Sequence, residues 1–329
     1  MTTTPQTNAT LEEIAEVIRK GDDFVLCGHV SPDGDCIGSQ LTLYHALKRL
    51  GKNATCVLVR DEPIGPENSF MPGSEDMIPA SSYTGPCSVF LGLDVPTRER
   101  IGVAVELLDK CETSVTIDHH AADERMCDYA YIDPDSASAS IIVWDVVKLL
   151  LDEPPLESAL CAYAGLATDT GCFRFQNSDS KAFAAAAELI EFGVDPGYVA
   201  TKTFQNRSLA SLKLEGCVID RLEIFADGNA AISWVMHEDF IRVGGMQSDA
   251  EPLIDTVREL MDIRVACILR EQDGKIRGSL RSKDGTDISV LAREFGGGGH
   301  CAAAGFTLDM TMSDALSLLK ARLGEMLKP

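Results

Sequence analysis

The sequence predicts an α/β protein in two parts: a parallel-sheet domain with helices on both faces, then a smaller α/β domain. Three observations predict it. Short β-rich runs alternate with helical patterns through the first half, the rhythm changes near Asp220, and 329 residues exceed what one average domain needs.

Residues 1–9 read as a loose polar tail, and the first helix follows at Leu11–Lys20. Strands are expected at Phe24–Cys27, Ala54–Val59, Ser88–Leu93 and Ser114–Ile117, each a short apolar run of the kind buried on both faces. Helices fill the intervals, at Ile37–Leu50, Arg98–Asp109, Ala139–Leu151 and Leu156–Ala167. A further helix, Lys181–Glu191, meets a C-cap signal at Phe192-Gly193, and Asp195-Pro196 then offers an N-cap with proline at the first helical position. Beyond Asp220, the alternating runs Arg221–Phe225 and Ala230–Val235 flank Asp227-Gly228-Asn229, a hairpin signal. Helix Glu251–Met261, strands Val265–Leu269 and Lys275–Arg281, helix Ile288–Phe295, a glycine loop and helix Ser313–Met326 complete the second part. The domains are therefore placed at 1–195 and 220–329, with a helical connector at 196–219.

Hydrophobic residues make up 45% and charged residues 24%, ordinary globular values. Apolar runs such as Val146–Leu151 fall far short of the roughly 20 residues that span a bilayer. The first residues also lack the basic and apolar regions of a leader. A soluble, cytoplasmic protein with no membrane partner is expected. Lys and Arg total 29 against 51 Asp and Glu, a formal charge of −22, and that field repels a polyanion. Long nucleic acid is thereby disfavoured as a partner, whereas a short anionic substrate at a locally positive or metal-loaded site is not. The eleven cysteines are scattered without a C-x-x-C pair and read as reduced thiols serving as small hydrophobes.

Several expected strands run into acids or histidines. The first leads to Gly28-His29-Val30-Ser31-Pro32-Asp33-Gly34-Asp35, the third to Asp94, and the fourth to Asp118-His119-His120. Ligands of open α/β sheets bind beyond the carboxyl ends of strands, so these residues can converge, with Asp169 at a helix end joining the same rim. Crowding Asp33, Asp35, Asp94 and Asp169 together raises their pKa values and repels, a conflict that divalent cations remove. Carboxylates and imidazoles without thiolate suit Mn²⁺ or Mg²⁺, the histidines favour Mn²⁺, and two metals sharing one carboxylate make a hydrolytic centre. Taken singly, an aspartate after a strand is an ordinary N-cap and a lone histidine is structural. Yet four of the six histidines, His29, His119, His120 and His300, fall in these acidic or glycine-rich segments, leaving His45 and His237 as structural.

Gly296–Gly299 lets backbone N–H groups approach an anion, and residues 264–300 carry a net charge of +2 within this acidic chain. Arg281 is the basic residue there least easily read as a solvated strand face. The run Ser136–Ser140 is expected to cap the next helix from Asp135 or Ser136, with hydroxyls available to substrate. Phe173, Phe175 and Phe306 read as core, with base stacking as the functional alternative. Cys36, beside the acidic motif, offers a thiol to oxidants and heavy metals.

Four motifs, His29-x-x-Pro32-Asp33-x-Asp35-x-x-Gly38-Ser39, Asp94, Asp118-His119-His120 and Thr168-Asp169-Thr170, resemble those of the DHH phosphoesterase superfamily. Arg281-Ser282-Lys283 and Gly296-Gly297-Gly298-Gly299-His300-x-x-Ala303-Ala304-Gly305 resemble its DHHA1 substrate domain. The resemblance spans roughly residues 22–325, with the motifs in family order. It implies an active site in the interdomain cleft and two divalent metals. His29, Asp33 and Asp94 would hold one; Asp35, Asp94, His119 and Asp169 would hold the other. His120 would face the scissile phosphate, Asp118 would orient a histidine or cap a helix, and Arg281, Gly297, Gly298, Gly299 and His300 would bind substrate. The function implied is hydrolysis of short oligoribonucleotides, or of the 3′-phosphate of 3′-phosphoadenosine 5′-phosphate, by a hydroxide bridging the metals. The alternatives are a linear or cyclic dinucleotide phosphodiesterase, a single-strand DNA exonuclease and a non-catalytic nucleotide sensor. The oligomeric state stays open, with a homodimer as one option.

Overall fold

The computed structural model describes residues 4–121, 124–299 and 301–328. The chain divides into two compact units, Met1–Asn206 and Arg207–Pro329.

In the first unit, α1 (Leu11–Lys20) precedes β1 (Phe24–Cys27), α2 (Gly34–Arg49), β2 (Ala54–Leu58), β3 (Ile78–Pro79) and β4 (Val89–Leu93). Then follow α3 (Val105–Leu108), β5 (Thr113–Asp118), β6 (Tyr129–Ile132), α4 (Ala139–Leu150), α5 (Leu156–Asp169), α6 (Ser180–Phe192) and α7 (Pro196–Phe204). The sheet runs β3-β2-β1-β4-β5-β6 with every pairing parallel, the order of a doubly wound sheet. Its strands bury alternate residues on opposite faces. Phe24 and Leu26 of β1 join α1, α2, α4 and α5 in one core, while Val25 and Cys27 meet Ile101, Ala104 and Leu108 in another. The strand order reverses between β1 and β4, so a crevice opens at their carboxyl ends. Because Cys27 pairs with Gly92 and Leu93 with Ile117, residues 29, 94 and 118–119 emerge there at one height.

Local chemistry overrode three expectations. The helix predicted over 98–109 is a 3₁₀ segment, Arg98–Ala104, broken by Gly102 (φ 45°, ψ −125°) before α3 begins. The short strand β6 was not among the expected strands. Its edge explains why the expected loose tail is partly pinned: Asn8 N–H donates to Ala130 O (3.0 Å), Ala130 N–H to Asn8 Oδ1 (2.8 Å), and Ile132 N–H to Thr7 Oγ1 (2.9 Å). Two polar side chains thus cover a sheet edge that would otherwise invite pairing.

The second unit comprises α8 (Leu209–Asp220), β7 (Glu223–Phe225), β8 (Ala230–Val235), α9 (His237–Val243), α10 (Leu253–Arg258), β9 (Val265–Gln272) and β10 (Lys275–Ser282). It closes with α11 (Ser289–Glu294), β11 (Gly298–Gly299), β12 (Ala303–Leu308) and α12 (Met312–Met326). Its mixed sheet runs β11-β12-β10-β9-β8-β7, with β8 and β9 parallel and the other pairs antiparallel. The hairpin between β7 and β8 takes positive φ at Asp227 (54°) and Gly228 (87°), as its sequence requires. The expected connector is shared out by its apolar residues. Val199 of α7 is buried in the first unit's core, whereas Leu214 and Val218 of α8 pack in the second's.

Candidate metal centre

Gly28 follows β1, and a Cβ there would lie 2.1 Å from Cys36 Sγ, so the close approach of α2 requires glycine. The chain then presents His29, 4% exposed, to the crevice. Asp33 caps α2: its Oδ1 accepts from the N–H groups of Asp35 (3.1 Å) and Cys36 (3.0 Å), and its Oδ2 lies 3.8 Å from His29 Nε2. Asp35, in the first turn of α2, is buried, and its carboxylate accepts from Ala139 N–H (2.7 Å) and Ser140 N–H (2.9 Å) at the start of α4.

The expected caps from Asp135 or Ser136 are therefore replaced by a carboxylate about a hundred residues upstream. Ser138, the N-cap residue, makes no side-chain cap, and the fully buried Ser138 and Ser140 hydroxyls face each other at 2.9 Å, out of a substrate's reach. Glycines make room for this arrangement. A Cβ on Gly165 of α5 would lie 2.7 Å from Asp35 Oδ1, and one on Gly38 of α2 would lie 2.6 Å from Cys161 O, so the two helices meet nearly backbone to backbone.

Asp94 follows β4 in the left-handed region (φ 54°), which aspartate tolerates better than most residues, and is 1% exposed. Its two oxygens serve different neighbours. Oδ2 lies 3.5 Å from His29 Nε2; Oδ1 lies 3.5 Å from His119 Nε2 and 3.4 Å from His120 Nδ1. His119 Nε2 is also 3.5 Å from Asp169 Oδ2 and 3.8 Å from Asp35 Oδ2. Its Nδ1 faces Ser136 O at 3.2 Å, which places the proton on Nδ1 and leaves the Nε2 lone pair directed at the acids. Asp118 Oδ1 accepts from the N–H groups of His119 (2.8 Å) and His120 (3.2 Å) and sits 2.8 Å from His120 Nδ1.

Charge follows burial. Asp94 is held well above the usual carboxylate range by burial and then by the charges of Asp35, Asp33, Asp118 and Asp169. Asp169 is raised for the same reasons, and burial raises Asp35 despite the pull of His119. Burial also acts on Asp118, but its hydrogen bond to His120 and the histidine charges outweigh it and keep that acid low. Buried Asp94 Oδ1 has no hydrogen-bond partner. An orphaned oxygen among crowded acids and directed imidazoles fits a divalent cation, and the nitrogen and oxygen donors suit Mn²⁺ or Mg²⁺. Candidate ligand atoms fall within 4.8 Å in three sets among the described residues: His29, Cys36 and Asp94; Asp94, His119 and His120; Asp35, His119 and Asp169. Cys36 is a correction to expectation. Its sulfur is fully buried, accepts His29 N–H (3.2 Å), and is kept protonated by burial and by Asp94 and Asp33, so it offers oxidants little.

After Asp169 the chain makes an unusual turn, with Gly171 (φ 56°), Cys172 (φ 57°) and Phe173 (φ 62°) all left-handed. Each non-glycine residue in that region costs about 1–2 kcal/mol. Thr170 holds the turn, its Oγ1 donating to Leu166 O (2.7 Å) and accepting from Phe173 N–H (3.1 Å). The Phe175 ring lies where a Cβ on Gly171 would be, 2.2 Å from Cζ. Phe173 packs against the first core and stacks on Phe183 (5.1 Å between centroids). Phe306 is buried in the second unit's core over Gly278, which leaves it no stacking role towards a base.

In the second unit the glycine loop is partly strand. Gly298 and Gly299 pair with Gly305 and Ala304, and a Cβ on Gly297 would lie 2.1 Å from Gly305 O. Arg281 of β10 pairs opposite Ala303, which places it two strands from β11. Its Nη1 donates to Leu280 O (2.9 Å), and burial lowers its pKa. Arg264 and Arg270 are engaged by Asp284 and Glu251, so part of the basic segment serves the fold. His300 lies outside the described residues.

Comparison with known proteins adds to this geometry. Residues 23–167 match the DHH family, N-terminal domain, and residues 229–327 match the DHHA1 domain. The chain is 33% identical over 297 residues to a Thermus thermophilus protein named bifunctional oligoribonuclease and PAP phosphatase NrnA, covering 90% of this chain and 87% of that one. A Bacillus subtilis protein of the same name is 27% identical, with 94% and 98% covered. Among solved structures, an exopolyphosphatase-related protein from Bacteroides fragilis superposes with a TM-score of 0.90 at 27% identity, covering 97% of each chain.

Proposed function

Because the chain belongs to the DHH family of phosphoester hydrolases, with a DHHA1 domain, we propose that it hydrolyses short oligoribonucleotides and the 3′-phosphate of 3′-phosphoadenosine 5′-phosphate. Two divalent cations, Mn²⁺ by preference, would be held by His29, Asp33 and Asp94 and by Asp35, Asp94, His119 and Asp169. The observation that carries the reading is Asp94, whose two oxygens address separate ligand sets. Bound there, the cations supply the positive charge that neutralises the phosphoryl transition state and makes water nucleophilic near neutral pH.

The protein's own groups do the rest. Asp118 keeps its negative charge and accepts Nδ1–H of His120, so a protonated His120 has Nε2–H to donate to a phosphate oxygen. Ser136 O fixes the tautomer of His119, and the amides of α4 orient the carboxylate of Asp35.

The test is a rate panel with Mn²⁺ over 3′-phosphoadenosine 5′-phosphate, RNA and DNA of graded length, cyclic dinucleotides and pyrophosphate. Turnover is expected for the bisphosphate and for RNA of about two to five nucleotides, with a shallow salt dependence because few phosphates are contacted. Equal cleavage of a strand of roughly 24 nucleotides, with binding that collapses in salt, would identify an exonuclease for long strands instead. A preference for cyclic dinucleotides would move the assignment to that substrate class.

The DHHA1 residues Arg281, Gly297, Gly298, Gly299 and His300 are assigned to the distal part of the substrate. Arg281→Ala should then leave metal content unchanged and slow hydrolysis of a 5′-phosphorylated nucleotide by about 10–100-fold, while scarcely affecting bis-p-nitrophenyl phosphate. An equal loss on both substrates would make Arg281 structural.

A further inference from the structure

Asn177 has no place in the motifs above, yet its side chain ties together two segments of the metal centre. Its Nδ2 donates to Asp169 O and to Ala137 O, both at 3.1 Å. Asp169 is one ligand of the set it shares with Asp35 and His119. Ala137 belongs to the run whose Ser136 carbonyl fixes His119 Nδ1 (3.2 Å) and whose Ala139 and Ser140 amides hold Asp35. One amide nitrogen therefore spans the supports of all three ligands.

The left-handed turn explains how Asn177 reaches this position. An α-helix ending at Asp169 would carry the next residues away from the crevice. With Gly171, Cys172 and Phe173 left-handed, Arg174 and Phe175 instead return their N–H groups to Thr170 O (2.9 and 3.0 Å), and Asn177 comes back against the Asp169 carbonyl. Backbone strain of this kind persists where surrounding contacts over-determine it. Asparagine suits the task because its one nitrogen carries two hydrogens for two carbonyls. Aspartate would set oxygen against oxygen, and alanine would leave both carbonyls without the bridge.

We propose that Asn177 is a positioning residue that fixes the Asp35, His119 and Asp169 set for its metal ion, leaving the His29, Asp33 and Asp94 set unaffected. The proposal rests on the two-metal reading of the centre. Its test is calorimetric titration of the metal-free full chain with Mn²⁺ alone, for wild type, Asn177→Ala and the isosteric Asn177→Asp. Wild type should bind two ions. Each variant should bind one as tightly as wild type and the other about 10–100-fold more weakly, the range for lost support of a ligand. The Mn²⁺ concentration giving half-maximal activity should rise in parallel, and saturating Mn²⁺ should restore most of kcat in Asn177→Ala.

Unchanged affinities for both ions would overturn the role of Asn177. Parallel weakening of both, or failure of both variants to fold, would also overturn it and make Asn177 a general structural residue. A single ion bound by wild type would overturn the two-metal reading itself, so the two failures are distinguishable.

Discussion

An Asp94→Asn protein is expected to lose about 10³-fold or more of its phosphoester hydrolysis, because the side chain that addresses both ligand sets would lose its charge. Asparagine keeps the shape and tolerates the left-handed backbone at this position (φ 54°), so the loss is not a folding defect. In chelator the variant should melt above wild type. Burial and four neighbouring carboxylates hold Asp94 well above its normal pKa, and removing its charge relieves that repulsion. Mn²⁺ titration, steady-state rates and melting curves in EDTA check the three parts. A folded Asp94→Asn protein with near-normal Mn²⁺-dependent turnover would contradict the bridging assignment.

Metal removal should destabilise the protein increasingly as pH rises. Asp94, Asp169 and Asp35 all have raised pKa values in the folded, metal-free chain, whereas in the unfolded chain they ionise near the ordinary value of about 4. The folded state therefore holds more protons than the unfolded one above that pH. Its stability is greatest below the unfolded pKa and falls as pH rises through the folded values. Metal binding requires the ionised acids and releases those protons, so its contribution grows over the same interval. Melting temperatures in EDTA and in excess Mn²⁺, compared at about pH 5, 6.5 and 8, should diverge with pH. A gap that stays constant or narrows would show that these carboxylates are not the ligands.

The parts of the fold legible in the sequence were those where one segment decides its own state. The runs Phe24–Cys27 and Ala230–Val235 are strands because each is apolar over a strand's length and bounded by turn residues. The strand-end acids were legible because parallel sheets bring carboxyl ends to one rim. A lone glycine within a helical pattern does not announce a break, yet Gly102, outside helical φ and ψ, divides the helix expected there. The cap of α4 was misplaced for a different reason. Local reading looks for a donor's partner within a few residues, and the partner of the Ala139 and Ser140 amides is Asp35. Asn177 was invisible likewise, since nothing in Phe175-Gln176-Asn177-Ser178 shows that three left-handed residues turn it back towards Asp169.

The carboxylate of Asp35 also orders events in time. The amides it satisfies lie 104 and 105 residues further along the chain, and α4 has no side-chain cap from its own N-cap residue. The first turn of α4 is therefore completed only when a long loop closes, an entropic step that rewards the chain late in folding. Until then a proposed metal ligand and a helix terminus are both unfinished, and one encounter completes them together. A nascent chain that has exposed Asp35 but not yet residues 139–140 carries the acidic motif without its partner, so this half of the proposed centre matures with the domain's long-range topology and not with the synthesis of its first motif.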